Sequence, residues 1–470
     1  MGRYGEATTA PGRRAAVAPA AADAWLPALD EPEPVGRGGR RLFAVLVLAA
    51  FLVGPVLWWS QTPARSLDTT ADLVLAAGRL TGLAAGCALL LQLLLMSRAG
   101  WLERMIGAYE LLVWHREIGG YLFVAVLAHL SATTVGYAMA SGEPLLPYAY
   151  TMVTTFEDML GAFAAAALLV AVALLAVRAV RRRMSYEAWY FLHLGGYLVV
   201  VLGFAHQLTG EQLVAGAGRW YWLTLNGFVA VNVAWGRVVS PLLFNARHRL
   251  RVADVVAEGP DTISIYIEGR RLDGMRARAG QYFRWRFLTT GCWWQAHPFS
   301  LSAAPNRDWL RLTVKVVGDH TRRLRTLRPG VRIFAEGPSG VFTADRAVGR
   351  RALLIAGGSG IAPVRALLED VPPGAVLIYR AGSERELVFR EELDWLAQER
   401  RARVHYVLGD RHAPGPRRLL TPRGLREMVP DVASRDVYLC GPQGLVTQCV
   451  KVLRRLRVPR RQLHLDPFEL

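Results

Sequence analysis

Lysine is almost absent from this chain of 470 residues: Lys315 and Lys451 are the only two among 56 basic residues. So lopsided a use of arginine reads as coding composition rather than function. Cysteine is as sparse. Cys87, Cys292, Cys440 and Cys449 form no CxxC pair and no cluster, which leaves no basis for an iron–sulfur centre or a disulfide framework. Long apolar runs are absent after Arg247, and basic residues are absent from the stretch SGEPLLPYAYTMVTTFED. Residues 1–36 lack any periodic apolar pattern and are rich in Ala, Pro, Gly and Arg, so a disordered tail is expected there.

The first half does contain length and apolarity. Six runs, at about 42–59, 71–96, 116–140, 158–180, 186–208 and 219–240, each approach the roughly 20 residues that cross hydrocarbon. Arginine sets their direction, because cytoplasmic loops retain positive charge. Arg37, Arg40 and Arg41 precede span one, and Arg98 and Arg104 follow span two. Arg178, Arg181, Arg182 and Arg183 follow span four, and Arg247, Arg249 and Arg251 follow span six. Both termini are then cytoplasmic, in a multi-pass protein of a bacterial plasma membrane, with the lipid bilayer as a partner. The net charge of +18 is in part this asymmetry, so no nucleic-acid partner is expected.

Four of the ten histidines fall within the apolar half, on two spans: His115 and His129 on span three, His193 and His206 on span five. A buried imidazole in lipid needs a partner, and a haem iron with two axial positions is one that two parallel helices can hold between them. Both spans run outward, so His115 faces His193 at the cytoplasmic level and His129 faces His206 nearer the outside. The separations are 129 − 115 = 14 and 206 − 193 = 13 residues. At about 1.5 Å per residue the two levels lie roughly 20 Å apart. Fourteen residues return to within about 40° of the same helix face, whereas thirteen miss it by about 140°. Span five must therefore bend or rewind, and Gly195, Gly196 and Gly203 lie where that is permitted. The competing reading makes the four histidines isolated interhelical hydrogen-bonders. A non-haem metal would lack carboxylate or thiolate ligands nearby.

These two spans resemble those of the ferric reductase and NADPH oxidase superfamily, whose third and fifth spans carry two histidines each at these separations. Span two resembles it as well: in RLTGLAAGCALLLQLLLMSR, Arg79 and Arg98 are nineteen residues apart. The resemblance implies that Arg79 borders the acceptor site at the outer face and that Arg98 meets a haem propionate. An intramembrane arginine independently requires an anion, or else snorkels to the outer interface. Where the oxidases have a further histidine one turn past the outer ligand, this chain has Thr133. An Fe(III) chelate is thus expected as the external acceptor ahead of O2.

After Arg247 the pattern changes to short alternating strands such as TISIYIE and LRLTVKVV with Gly and Pro turns, which predicts a small antiparallel β-barrel. QAHPFSLS resembles the FAD signature of the same superfamily, with GQYF before it and KVVGDHTRRL and EGPSGVF after it. The resemblance implies His297 and Pro298 toward the phosphate side, Phe299 against the flavin, and the Ser300 hydroxyl near N5. It also implies that Lys315, Gly318 and Thr321 belong to the loop that binds the pyrophosphate. From residue 350 the texture is strand, glycine turn, helix. RALLIAGGSGIAPVRALLED brings Gly357, Gly358, Gly360 and Pro363 to a helix start able to take a phosphate, or forms only a tight turn. Arg380, Ser383 and Arg385 follow the next strand, where the 2′-phosphate of NADPH could be held. Cys440, Gly441 and Pro442 form a turn resembling the nicotinamide side of ferredoxin-reductase-like proteins, with a buried packing thiol as the alternative for Cys440. Phe468 resembles the terminal aromatic that stacks on the flavin in the family, although Leu470 ends this chain.

The expected fold is a multidomain membrane protein: a tail (1–36), a six-helix transmembrane haem-binding bundle (37–245), an antiparallel β-barrel flavin domain (246–347) and an α/β nucleotide-binding domain (348–470). NADPH delivers two electrons as hydride, a flavin releases them singly, and a haem iron takes one. FAD and two b-type haems are therefore the expected cofactors, NADPH the donor, and Ser300, Cys440 and Arg79 the residues nearest the reaction. The alternatives are an oxidase forming superoxide from O2, a membrane cytochrome serving a partner redox protein, and a haem-based sensor.

Overall fold

The computed structural model describes residues 37–62, 67–181, 183–184, 186–209, 216–410 and 413–467. The expected tail, Arg182 and Phe468 lie outside the described residues. Among the described residues six helices are long and apolar enough to cross a membrane: Gly38–Gln61, Thr70–Leu95, Glu110–Ser141, Met159–Ala176, Glu187–Leu208 and Gly216–His248. Span two starts where Thr69 and Asp72 cap each other, Thr69 Oγ1 accepting from Asp72 N and Asp72 Oδ2 accepting from Thr69 N, both at 3.1 Å. Gly78, Gly82 and Gly86 then recur every fourth residue, and the bulk they omit is filled by Thr133, His129 and Trp222. Span two thereby approaches span three closely at Gly78 and Gly82 and span six at Gly86.

Span five is two helices, Tyr186–His193 and Gly195–Leu208, broken at Leu194. The break falls directly after the first histidine and beside Gly195 and Gly196, where a bend or rewinding was expected. Span six, expected to end near 240, continues through a wider π-type turn at Trp235–Val239 to His248. Its last turns carry polar residues with fixed partners. Asn245 Oδ1 accepts from Ala335 N at 2.8 Å and its Nδ2 donates to Ala335 O at 2.7 Å, occupying the open edge of a strand in the following domain. At Gly236 a Cβ would lie 2.2 Å from Ser97 O, so only glycine lets this turn rest on the loop after span two.

The next six strands are β1 (Arg251–Gly259), β2 (Thr262–Glu268), β3 (Tyr282–Phe287), β4 (His297–Ser300), β5 (Leu310–Lys315) and β6 (Ile333–Ser339). They do not close into the expected barrel. One antiparallel sheet has the order β1-β2-β5 and the other β4-β3-β6, with isolated bridges at Arg251–Arg332 and Leu301–Leu312. Phe283, Trp285 and Phe287 of β3 and Ile263, Ile265 and Ile267 of β2 share one buried core. Alternation makes each strand one-sided, but two facing sheets satisfy it as well as a closed barrel does.

The last strands are β7 (Ala352–Gly357), β8 (Val376–Ala381), β9 (Arg403–Leu408), β10 (Asp436–Gly441) and β11 (Leu463–Pro467). They form a parallel sheet in the order β11-β10-β7-β8-β9. β7 and β10 are buried along their whole length, as strands covered on both faces must be. The chain leaves β7 at Gly357–Gly360 and enters the helix Ile361–Asp370.

Candidate functional site

The membrane helices bring the four histidines together in the expected pairs. The His115 and His193 rings have centroids 6.1 Å apart, and the His129 and His206 rings 6.0 Å apart. His129 Nδ1 lies 2.8 Å from Gly78 O. A carbonyl only accepts, so Nδ1 carries the proton and Nε2 keeps its lone pair for a ligand. His115, His193 and His206 each bury an Nδ1 that has no hydrogen-bond partner among the described residues. Two metal–imidazole bonds of about 2 Å, each with roughly 1 Å from nitrogen to ring centre, would place centroids about 6 Å apart. The described residues include no group of three or more His, Cys, Asp or Glu able to hold an ion. Two imidazoles per level suit a haem iron, whose other ligands come from its own macrocycle.

Span two frames both levels. Gln92 Nε2 donates to His115 O at 2.8 Å, and at Gly82 a Cβ would stand 2.6 Å from His129 Nδ1 and 2.8 Å from Cε1. Sequence reading missed this support, although glycines at four-residue spacing in an apolar run are its signal. Gly82→Ala is expected to push the His129 ring off Gly78 O and to lower haem content or change its spin state. Gly120→Ala, whose Cβ would meet nothing within 4 Å, is expected to change neither. Equal spectra for both variants would contradict this account of the outer pair.

Arg79 is half-buried and directly follows Gly78, the acceptor for His129. Its position along span two is therefore that of the outer pair. The Thr133 hydroxyl donates to His129 O at 2.6 Å, which uses it within its own helix. Arg98, expected at a haem propionate, is paired here with a carboxylate of the chain. Its guanidinium contacts Glu336 of β6, and Arg286 lies 3.4 Å from the same carboxylate. A residue that the sequence places at the end of a span thus anchors the flavin-side sheet.

On that sheet His297, Pro298, Phe299 and Ser300 form β4, paired with β3. Trp285 Nε1 donates to Phe299 O at 2.9 Å, and the Ser300 side is buried. His297 stacks closely on His320, with centroids 3.8 Å apart. In the loop after Lys315, Val317 N and Gly318 N both donate to Thr321 Oγ1 at 3.0 Å. These amides and this hydroxyl, expected at a phosphate, form the cap of the helix Asp319–Leu324. In the nucleotide half the two glycine turns touch, for at Gly360 a Cβ would lie 2.3 Å from Cys440 O. Pro363 lies in the first turn of the following helix. Cys440 is fully buried, its thiol pushed well up by that burial, and its Sγ donates to Asp466 O at 3.1 Å. The packing-thiol reading describes it.

Arg380 also has fixed partners, donating to Ala381 O and, at 2.6 Å, to Gly409 O. Ser383 and Arg385 are exposed just beyond it. Of the two arginines, Arg385 is the one free to meet a 2′-phosphate. Arg385→Ala is expected to raise KM for NADPH about tenfold with little change for NADH. Arg380→Ala is expected to weaken both through the loops it holds. Steady-state kinetics with each nucleotide checks this, and equal losses for Arg385→Ala would contradict it.

Sequence reading missed a buried ionic network between the two domains that follow the membrane helices. Glu392 receives Arg311 at 3.1 and 3.2 Å and also contacts Arg365, which contacts Glu369. Glu369 Oε1 accepts in turn from Ala304 N at 3.1 Å. Burial and then Arg311 pull the Arg365 guanidinium down to about 9, so it remains a cation at neutral pH. No local pattern marks these charges as partners.

Three domain families match the chain: ferric reductase like transmembrane component over residues 81–204, FAD-binding domain over 247–342, and oxidoreductase NAD-binding domain over 354–451. The ferredoxin reductase component of 3-ketosteroid-9-alpha-monooxygenase from Mycolicibacterium smegmatis is 30% identical over 236 residues, 47% of this chain and 65% of that protein. The chain thus spans a little under two thirds of that relative. Dual oxidase 2 of Homo sapiens is 23% identical over 219 residues, 39% of this chain and 14% of that protein. A solved ferredoxin NADP+ reductase from Neisseria gonorrhoeae, with bound FAD and NADP, is 20% identical and covers 47% of this chain and 99% of its own, with a TM-score of 0.41. Through its transmembrane, FAD-binding and NAD-binding domains together, the chain matches the ferric reductase and NADPH oxidase superfamily.

Proposed function

We propose that this protein is an NAD(P)H-dependent transmembrane reductase that moves electrons from cytoplasmic NADPH to an Fe(III) chelate on the opposite face of the plasma membrane. The observation that carries the reading is the pair of facing imidazole couples on spans three and five. His115 with His193 and His129 with His206 would hold two b-type haems, and β4 with the loop after Lys315 would hold FAD. When bound, the haems supply one-electron carriers and FAD supplies the conversion of a hydride into single electrons. The chain's own residues orient these groups. Gly78 O fixes the His129 tautomer, Gln92 ties span two to the inner level, and Asn245 with Arg98 fastens the flavin-side sheet to the membrane helices. Arg79 places positive charge at the outer level, where an anionic chelate would dock.

Superoxide formation is the second reading, favoured by the similarity to Dual oxidase 2. Thr133 opposes it, since its hydroxyl is spent on His129 O and offers no acid to reduced oxygen. Protein reduced by NADPH under anaerobic conditions should be reoxidised faster by ferric citrate than by dissolved air, and Arg79→Ala should slow the citrate reaction. A faster reaction with oxygen, yielding stoichiometric superoxide, would replace the reductase by the oxidase.

A further inference from the structure

One glutamine joins the flavin-side sheet to span five. Gln295 lies in the loop between β3 and β4, next to the HPFS strand. Its side-chain amide faces Glu187 Oε1 at 3.3 Å on one side and His320 Nδ1 at 2.6 Å on the other. A carboxylate only accepts, so Nε2 must point at Glu187 and Oε1 at His320. His320 Nδ1 therefore carries a proton and donates. Burial, and then the neighbouring His297, hold His320 down to about 4, so at neutral pH the ring is uncharged and this arrangement persists. His320 is the ring that lies 3.8 Å from His297.

On the membrane side, Glu187 belongs to the first turn of the helix Tyr186–His193, which ends at the inner histidine. The same helix presents Phe191 to Trp294, centroids 6.1 Å apart. Its Trp189 stacks on His193, with centroids 5.0 Å and planes 18° apart. A helix this short moves as one body, so a shift at Glu187 is carried to His193.

We propose that Gln295 is a positioning residue that registers the His297–Ser300 strand against the helix ending at His193, and so sets how the flavin side approaches the inner histidine pair. This rests on the function proposed above. Its mark is an exchangeable donor and acceptor. Gln295→Glu keeps an acceptor for His320 but sets a carboxylate against Glu187. Adding Glu187→Gln restores one donor and one acceptor across the same contact, reversed.

The test uses the full chain purified with its cofactors and mixed rapidly with NADPH in the absence of oxygen. In Gln295→Glu the rate of haem reduction relative to flavin bleaching should fall by about tenfold or more against the parent. The double variant should return to within about twofold of the parent. Amide hydrogen exchange across residues 186–193 and 289–296, measured on protein stripped of cofactors, should rise in the single variant and fall back in the double. Unchanged haem reduction in Gln295→Glu, or a double variant as slow and as exchangeable as the single, would overturn the proposal. A parent chain whose flavin bleaches without haem reduction would count against the proposed function, and the exchange measurement would still decide the contact.

Discussion

If the four histidines hold two haems as proposed, replacing either His129 or His206 with Ala is expected to remove the same one, leaving about one per chain. The expectation follows from the pairing of their rings at 6.0 Å and from the tautomer that Gly78 O imposes on His129. A haem iron left with one imidazole in an apolar site loses half of its axial ligation. The inner pair should be untouched, because its supports are separate: Gln92 bonds the His115 carbonyl and Trp189 packs on His193. His115→Ala and His193→Ala should show the converse loss. A pyridine haemochrome assay measures the content, and redox titration identifies which haem remains. Full content in both outer variants would sink the ligand assignment.

A second large effect is expected far from any cofactor. Glu392→Ala should destabilise the half after the membrane helices by about 3–5 kcal/mol, because it strips Arg311 and Arg365 of a shared carboxylate while both stay buried. Their side chains are only 5% and 1% exposed, so water cannot replace the lost partner. For a unit of this size the shift in melting temperature is roughly 10 °C, readable by thermal unfolding of the detergent-solubilised chain. Glu384→Ala breaks the exposed pair with Arg390 and should cost less than about 1 kcal/mol. Similar shifts for the two variants would show that the network has no special weight. The helix Ile361–Asp370 carries Arg365 and Glu369 behind the glycine turn, so loosening it should also raise KM for the nucleotide.

The sequence made some of this architecture legible because local chemistry encodes it. Apolar length gives the spans, and helix arithmetic on 14 and 13 residues calls for a bend or rewinding of span five, whose helix is broken at Leu194. The glycine turns after β7 and β10 were legible too, though not their mutual contact. What could not be read depends on pairings across long stretches of chain. Arg98 meets Glu336 and Arg311 meets Glu392, and nothing in the intervening sequence marks either choice. Closure of the flavin sheet was misread for the same reason, since alternation specifies which face is buried but not whether the edge strands meet. Span six was expected to end near 240 and continues to His248, where Asn245 takes the place of a strand neighbour at Ala335.

Transfer of electrons across a sealed bilayer tests the central claim most directly. The purified chain would be reconstituted into liposomes with ferric citrate and an impermeant Fe(II) indicator trapped inside, and NADPH added outside to the molecules whose nucleotide domain faces out. The account predicts that trapped iron is reduced while NADPH is consumed outside, and that His129→Ala abolishes the lumenal signal but not reduction of the flavin. Reduction of iron only when chelate and NADPH share the same compartment would contradict it.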